Sequence, residues 1–139
     1  MSTPEYVEMN EGYEPYIYLD SEGIETIGIG FNLQEGFTRD ESLLILNYRL
    51  GKLQDRLRST FPWYPMLNQV RKTVLLDMAY NLGIPRLCRF IKMLRAISEQ
   101  NWSKAAEEIL DSRYATQVGR RATRNAQMMR TGEWYEAQT

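Results

Sequence analysis

The sequence predicts an α+β fold that is mostly α-helical, with a small sheet near the N-terminus. Two alternating apolar segments flank a short loop that ends in glycine, as in a β-hairpin. Later segments repeat leucine and other apolar residues at three- and four-residue steps, which is typical of helices. We therefore expect a small N-terminal lobe with a three-stranded β-hairpin sheet, a long connecting helix and a helical C-terminal lobe.

The length of 139 residues predicts one domain over residues 1–139. The N-terminal lobe would span about 12–60 and hold the sheet and the connecting helix. The C-terminal lobe would span about 61–139, together with helix 2–11. Apolar stripes on these helices are expected to form the core.

The first predicted helix ends at an acidic residue. Ser2 can cap it, Glu5 completes a capping box, and Gly12 is the stop signal. Glu11 then lies in the last turn, where the negative end of the helix dipole favours a protonated carboxyl group. A carboxyl group that keeps its proton can act as a general acid, although most glutamates are solvated surface residues.

The hairpin places a second carboxylate near a hydroxyl. Residues 16–20 and 24–30 are the expected strands, with Tyr18 facing Thr26. Asp20 and Thr26 are then diagonal neighbours on one sheet face. With glycines nearby that allow close backbone approach, such a pair can hold and polarise a water molecule. The simpler alternative is that Asp20 only begins the turn and Thr26 is an ordinary strand residue.

The remaining elements follow from caps and apolar spacing. Residues 31–37 are predicted as a third short strand and loop, and Thr38 as the cap of a helix of roughly 20 residues. Further helices are expected over residues 65–82, 86–99, 101–114 and beyond. The single cysteine, Cys88, lies in a helical pattern and is expected to be a buried thiol.

Composition excludes several classes of site. The chain has no histidine, which removes histidine triads, histidine metal sites and histidine general bases, and we expect neither a metal nor another cofactor. No stretch of 18 apolar residues and no secretory signal pattern is visible. We therefore expect that the protein does not insert into a membrane. We also expect that it is synthesised in a cytoplasm.

Charge is divided unevenly along the chain. Residues 1–60 carry 11 acids and 5 bases, whereas residues 61–139 carry 7 acids and 12 bases. This division could be a dipolar surface without consequence, or it could mark a cleft between an acidic and a basic lobe. The segment from Arg113 to Arg130 has five arginines and no acids. It could be a solvated surface, a nucleic-acid site, or a surface that meets the acidic lobe or an anionic ligand across a cleft. Overall acidity and the lack of interleaved aromatic residues argue against nucleic acid.

Glu11, Asp20 and Thr26, followed by the sequence IGIGF, resemble the catalytic signature of the phage-type lysozymes, the T4-like muramidases of glycoside hydrolase family 24. Three later blocks, MAYNLG, NWSKAAEEILDSRY and RRATRNAQMMRTGEW, are similar to blocks of that family in the same order. The resemblance covers nearly the whole chain and implies a lysozyme-like fold.

The resemblance implies hydrolysis of the β-1,4 bond between N-acetylmuramic acid and N-acetylglucosamine in peptidoglycan. Glu11 would donate a proton to the glycosidic oxygen. Asp20 and Thr26 would position the attacking water, with inversion at the anomeric carbon. Matching positions give the remaining expected site residues: Asn32, Tyr80, Asn81 and Arg113 as substrate-binding, and Arg121 as the ion-pair partner of Glu11.

The implied role is that of an endolysin that lyses the host cell. Its partner would be the peptidoglycan glycan strand, and we expect a monomer. It would stay in the host cytoplasm until release to the wall, which would require a holin-type membrane permeabiliser.

Two alternatives remain open. A lytic transglycosylase would cleave the same bond without water, and the presence of both Asp20 and Thr26 argues against it. A non-catalytic peptidoglycan-binding protein would bind the wall and release no new reducing ends.

Overall fold

The computed structural model describes residues 1–136 and confirms the predicted α+β class. The strands are β1 (Glu14–Leu19), β2 (Glu25–Gly28) and β3 (Phe31–Asn32), which form one antiparallel sheet in the order β1-β2-β3. The helices are α1 (Thr3–Glu11), α2 (Arg39–Thr60), α3 (Gln69–Leu82), α4 (Ile84–Leu87), α5 (Ile91–Ser98), α6 (Trp102–Leu110), α7 (Arg113–Val118) and α8 (Arg120–Thr131), with a 3₁₀ turn at Tyr64–Met66. The last three positions of the predicted domain lie outside the described residues.

The chain divides into two compact units, Met1–Leu46 and Asn47–Thr139. The first contains α1, the sheet and the start of α2, and the second contains the rest of α2 and all later helices. The predicted lobes, about 12–60 and about 61–139 with helix 2–11, divide the chain at other points, and that division stays a prediction.

Local hydrogen bonds explain both ends of α1. The Ser2 hydroxyl accepts a bond from the Glu5 amide at 3.3 Å, and the Glu5 carboxylate accepts one from the Ser2 amide at 2.7 Å. This is the predicted capping box. At the other end, the Gly12 amide donates to the Glu8 carbonyl at 2.7 Å, and Gly12 has a φ of 75°. Glu11 is therefore the last helical residue, as predicted.

The hairpin has the predicted register. Tyr18 is paired with Thr26 across β1 and β2, and Thr26 is paired in turn with Asn32 of β3. The turn closes through a 3.0 Å bond from the Gly23 amide to the Asp20 carbonyl, and Gly23 has a φ of 78°. Glycine adopts that left-handed conformation without a steric penalty, which is why the loop ends there.

The connecting helix α2 is 22 residues long and begins after the predicted cap. Thr38 and Glu41 exchange hydrogen bonds between their amides and side chains at 2.9 and 3.1 Å. Its predicted leucine stripe is covered unevenly: Leu57 is buried and Leu43 is exposed. The stripe members between them are half-buried: Leu46, Leu50 and Leu53.

The second unit contains the hydrophobic core. Its helix α6 packs against α5 and α8, and α3 packs against α4 and α8. The largest fully buried side chains are Tyr64, Leu57, Leu75, Met78, Leu87, Met93, Ile97, Ile109, Met129 and Val74. Among residues 1–136, no helix has both the length and the apolar character needed to cross a membrane.

Several helix boundaries in this unit differ from the prediction. The helix expected over 65–82 begins at Gln69, because the Asn68 side chain accepts a bond from the Arg71 amide at 2.9 Å and caps it. The helix expected over 86–99 is divided into α4 and α5. The helix expected over 101–114 ends at Leu110, and Ser112 caps the separate helix α7.

The prediction of a buried thiol at Cys88 is wrong. The side chain is exposed. Cys88 lies at the C-terminal cap of the short helix α4, where the chain turns before α5, and not within a continuous helix with a core-facing stripe.

Candidate functional site

The carboxyl group of Glu11 lies against the backbone of Gly30. A Cβ atom placed on Gly30 would be 2.6 Å from Oε2 of Glu11 and 3.0 Å from its Cδ. Gly30 also has a φ of +67°, which L side chains rarely adopt. The absence of a side chain at Gly30 therefore leaves space for the Glu11 carboxyl group. The close backbone approach that the sequence predicted near the hairpin is, at Gly30, an approach of the backbone to Glu11.

The two oxygens of Asp20 have different surroundings. Oδ1 accepts bonds from the Glu22 amide at 2.8 Å and the Ile24 amide at 2.9 Å. Asp20 thus does begin the turn, as the simpler alternative stated. Within residues 1–136, Oδ2 accepts no hydrogen bond. One oxygen therefore holds the hairpin together while the other can take part in chemistry.

Thr26 is a buried polar residue, with only 4% of its surface exposed. Its hydroxyl donates to the Ile24 carbonyl at 2.9 Å. Because the proton is used in this bond, the oxygen can only accept a bond from a further partner. The observed register makes Thr26 a diagonal neighbour of Asp20 on the same sheet face.

Asn32 lies directly opposite Thr26 on β3 and therefore belongs to the same face. Its side-chain oxygen accepts a bond from the Gln34 amide at 2.8 Å, which fixes the following turn. The amide NH₂ group remains as a donor. Asn32 is therefore a neighbour of Thr26 within the first unit, and its contact with substrate stays a prediction.

The other predicted substrate-binding residues belong to the second unit. Tyr80 and Asn81 are exposed in the last turn of α3. Arg113 is the first residue of α7 and lines an open pocket of about 650 Å³. Tyr80 and Asn81 are not among the residues that line this pocket, so the structure does not bring these three side chains together there.

Arg121 has a partner that the sequence did not reveal. Its Nε donates to Oδ2 of Asp77 at 2.8 Å and its Nη2 donates to Oδ1 at 2.7 Å, a two-pronged ion pair. The predicted pairing with Glu11 stays a prediction. A signal was present: Asp77 is the one charge in the apolar segment VLLDMAY, and a carboxylate among buried neighbours requires a partner.

Two further side chains complete the network around Asp77. Nδ2 of the buried Asn125 donates to Oδ2 of Asp77 and to the hydroxyl of Tyr114, both at 2.9 Å. Burial acts to raise the pKa of Asp77, but hydrogen bonds from Arg121 and Asn125, with the charges of Arg121 and Arg124, outweigh it. The pKa of Asp77 is therefore below its ordinary value of 3.8.

We expect Asp77→Asn to lower the free energy of unfolding near neutral pH by about 1–3 kcal/mol, because it removes a charged partner from Arg121. The folded pKa is below the unfolded one, so the contribution of Asp77 is complete above about pH 3.8 and is lost as the pH falls through the folded value. Urea unfolding at several pH values should show the two proteins converging in acid.

The control for this prediction is Asp55→Asn. Asp55 forms a 3.6 Å salt bridge with Arg58, and the Asp55 side chain is 78% exposed. Loss of this salt bridge should therefore change the free energy of unfolding by no more than about 0.5 kcal/mol. A stability gap for Asp77→Asn that is equally large at pH 7 and well below pH 3.8 would contradict the assigned role of its charge.

No group of three or more His, Cys, Asp or Glu side chains within residues 1–136 is arranged to hold a metal ion. In the first unit, the side chains described above are an acid at a helix end and a carboxylate, a buried hydroxyl and an amide on one sheet face.

Comparison with known proteins identifies the family. The model of the family described as "Phage lysozyme" matches residues 8–130. "Probable T4-type lysozyme 2" of Dictyostelium discoideum is 27% identical, over 94% of this chain and 95% of that protein. "Probable T4-type lysozyme 1" of the same organism is 23% identical over the same shares. "Pre-baseplate central spike protein Gp5" of Enterobacteria phage T4 is 26% identical over 95% of this chain but over 28% of its own length. Since the family match extends over most of the 139 residues, the chain belongs to the phage lysozyme family.

Proposed function

We propose that the chain is an inverting muramidase that hydrolyses the β-1,4 bond between N-acetylmuramic acid and N-acetylglucosamine in bacterial peptidoglycan. Membership of the phage lysozyme family makes it a lysozyme-type peptidoglycan hydrolase. The bond, the stereochemistry and the residue roles are the finer parts of the proposal.

The observation that carries the proposal is that Asp20 and Thr26 share one sheet face. Within residues 1–136, the Asp20 carboxylate accepts hydrogen bonds at Oδ1 alone, and the Thr26 hydroxyl is buried. Oδ2 of Asp20 can accept one proton of a water molecule, and the Thr26 oxygen can accept the other, because its own proton is held by Ile24. Water held in this way directs its lone pair away from both acceptors, toward a sugar carbon. Asp20 then acts as general base in the attack.

Glu11 is the general acid of the proposal. Its carboxyl group would protonate the glycosidic oxygen as the bond to the anomeric carbon breaks. Inversion requires the water and the acid on opposite faces of the sugar, with the Glu11 and Asp20 carboxyl groups roughly 6.5–9.5 Å apart when the substrate is bound. Asn32, Tyr80, Asn81 and Arg113 are proposed to contact the glycan strand, and Nη1 of Arg121 to approach Glu11.

The decisive experiment is mass spectrometry of the fragments that the protein releases from purified peptidoglycan. Reducing N-acetylmuramic acid ends are expected. Anhydro ends would instead identify a lytic transglycosylase, and wall binding without release would identify a non-catalytic peptidoglycan-binding protein. Analysis of the first product by NMR, before the anomers equilibrate, should show the inverted anomer.

Gly30→Ala should reduce hydrolysis by about 10–10²-fold, because the new Cβ would overlap the Glu11 carboxyl group and displace it. The matched control is Gly36→Ala. Gly36 has nearly the same φ, +69° against +67°, but nothing lies within 4 Å of its Cβ position. Both variants bear a similar backbone strain of ~1–2 kcal/mol, so equal losses of activity would refute the displacement of Glu11.

The biological role proposed is lysis of the host cell by an endolysin. The proposal also includes three points that derive from the family resemblance. The protein stays in the host cytoplasm before release, it needs a holin-type membrane permeabiliser, and it is a monomer. The relative in phage T4 is named as a central spike protein, so a role of this chain during entry is the alternative. Timed detection of the protein, late in infected cells or in purified particles, separates the two roles.

A further inference from the structure

A concave surface of the second unit is bordered by several basic side chains. An open pocket of about 650 Å³ is bordered by Arg86 and Arg89 of the α4–α5 segment, Lys92 of α5, and Arg113 of α7. All four side chains are exposed. The first three recur at every third position in the segment PRLCRFIK, which contains no acid.

These cations are not engaged by the rest of the described chain. The salt bridges found among residues 1–136 involve Arg58, Lys104 and Arg121 as the basic partners, and none of the four pocket cations. A cluster of unpaired cations repels itself, and an anionic ligand removes that repulsion. Helix α5 begins after Phe90, whose side chain makes no capping hydrogen bond. The positive end of the α5 dipole therefore adds to the positive potential of the same rim.

The two acids of the pocket do not cancel this charge. Glu108 is held by Lys104 at 2.9 Å, which neutralises it, and Asp111 is left to balance four cations. A zwitterionic ligand, such as a peptide with both amines and carboxylates, would leave most of the positive charge uncompensated. A polyanion without amines compensates it fully, and guanidinium groups bind phosphate oxygens in two-pronged geometry.

We propose that this pocket binds phosphodiester groups of a polyanion attached to the bacterial wall, and that it retains the enzyme on its substrate. The proposal rests on the proposed function, since it concerns the same wall. The net charge of the whole chain is −1, so general electrostatic attraction to an anionic wall is weak. A local basic pocket supplies the attraction that the whole molecule lacks.

The test measures binding separately from cleavage by using a Glu11→Gln background. Sedimentation with purified walls, at low salt, compares this protein with a form that also carries Arg86→Gln, Arg89→Gln and Lys92→Gln. We expect the triple change to weaken binding about tenfold or more. The charge-matched control carries Arg39→Gln, Arg49→Gln and Lys52→Gln on α2, outside the pocket, and should bind within about twofold of the background.

Walls stripped of phosphodiester polymers with cold hydrofluoric acid identify the anion. The proposal expects weaker binding of the background protein to stripped walls and no further loss from the triple change. An undiminished effect of the triple change on stripped walls means that carboxylates are bound instead, and overturns the proposal. Equal loss from the pocket and control changes overturns it as well.

The same samples separate this proposal from the proposed function. Proteins with Glu11 intact are assayed for new reducing ends on stripped walls, where the pocket has no polymer to bind. One outcome is that the protein hydrolyses stripped walls while the triple change does not weaken binding to native walls. That outcome refutes the pocket proposal and leaves the muramidase proposal standing. Absence of reducing ends refutes the muramidase, whatever the binding result.

Discussion

Glu11→Gln should lower peptidoglycan hydrolysis by about 10²–10⁴-fold, because an amide of nearly the same shape has no acidic proton for the leaving oxygen. The fold should persist. Glu11 is exposed, and in the part of the chain that the structure describes its carboxyl group takes part in no salt bridge. Release of reducing ends and urea unfolding, measured on one preparation, would show lost activity with unchanged stability.

Glu8→Gln is the matched control for this substitution. Glu8 lies one turn earlier on α1 and is also exposed, and its structural contact with Gly12 uses the backbone carbonyl. We expect the control to keep activity within about twofold, since a surface carboxylate away from the site contributes little. Wild-type activity in Glu11→Gln would remove Glu11 from the mechanism and leave the family resemblance without its acid.

The parts of this site that the sequence predicted depend on interactions between near neighbours. The Ser2–Glu5 capping box and Gly12 fix the end of α1, and therefore the position of Glu11. The left-handed Gly23 fixes the hairpin register, which is why Asp20 and Thr26 could be assigned to one face. Each signal acts within a few residues, so a sequence pattern can contain it.

The parts that the sequence did not predict depend on contacts between distant segments. Asp77 and Arg121 are 44 positions apart, and no local pattern selects one acid as the partner of a given arginine. The position of Glu11 against Gly30 likewise depends on how α1 approaches the sheet. The division of residues 86–99 into two helices and the exposure of Cys88 follow from a turn that apolar periodicity does not report.

Asp20→Asn should lower hydrolysis by about 10²–10⁴-fold with little change in stability. The reason is the division of labour between the two oxygens. Asparagine keeps an oxygen that can accept the bonds from the Glu22 and Ile24 amides, so the hairpin should form as before. In place of Oδ2 it has an NH₂ group, which donates and cannot accept a proton from water.

Asp20→Ala supplies the comparison that separates the two roles. It removes both oxygens, so it should also destabilise the hairpin, by about 1 kcal/mol for each lost bond. If Asp20 served the turn alone, Asp20→Asn would keep activity and only Asp20→Ala would lose it. If Asp20 also accepts the proton of the attacking water, both variants lose activity and only Asp20→Ala loses stability. The asparagine variant therefore decides between the structural and the catalytic interpretation of this residue, because it changes the chemistry and preserves the turn.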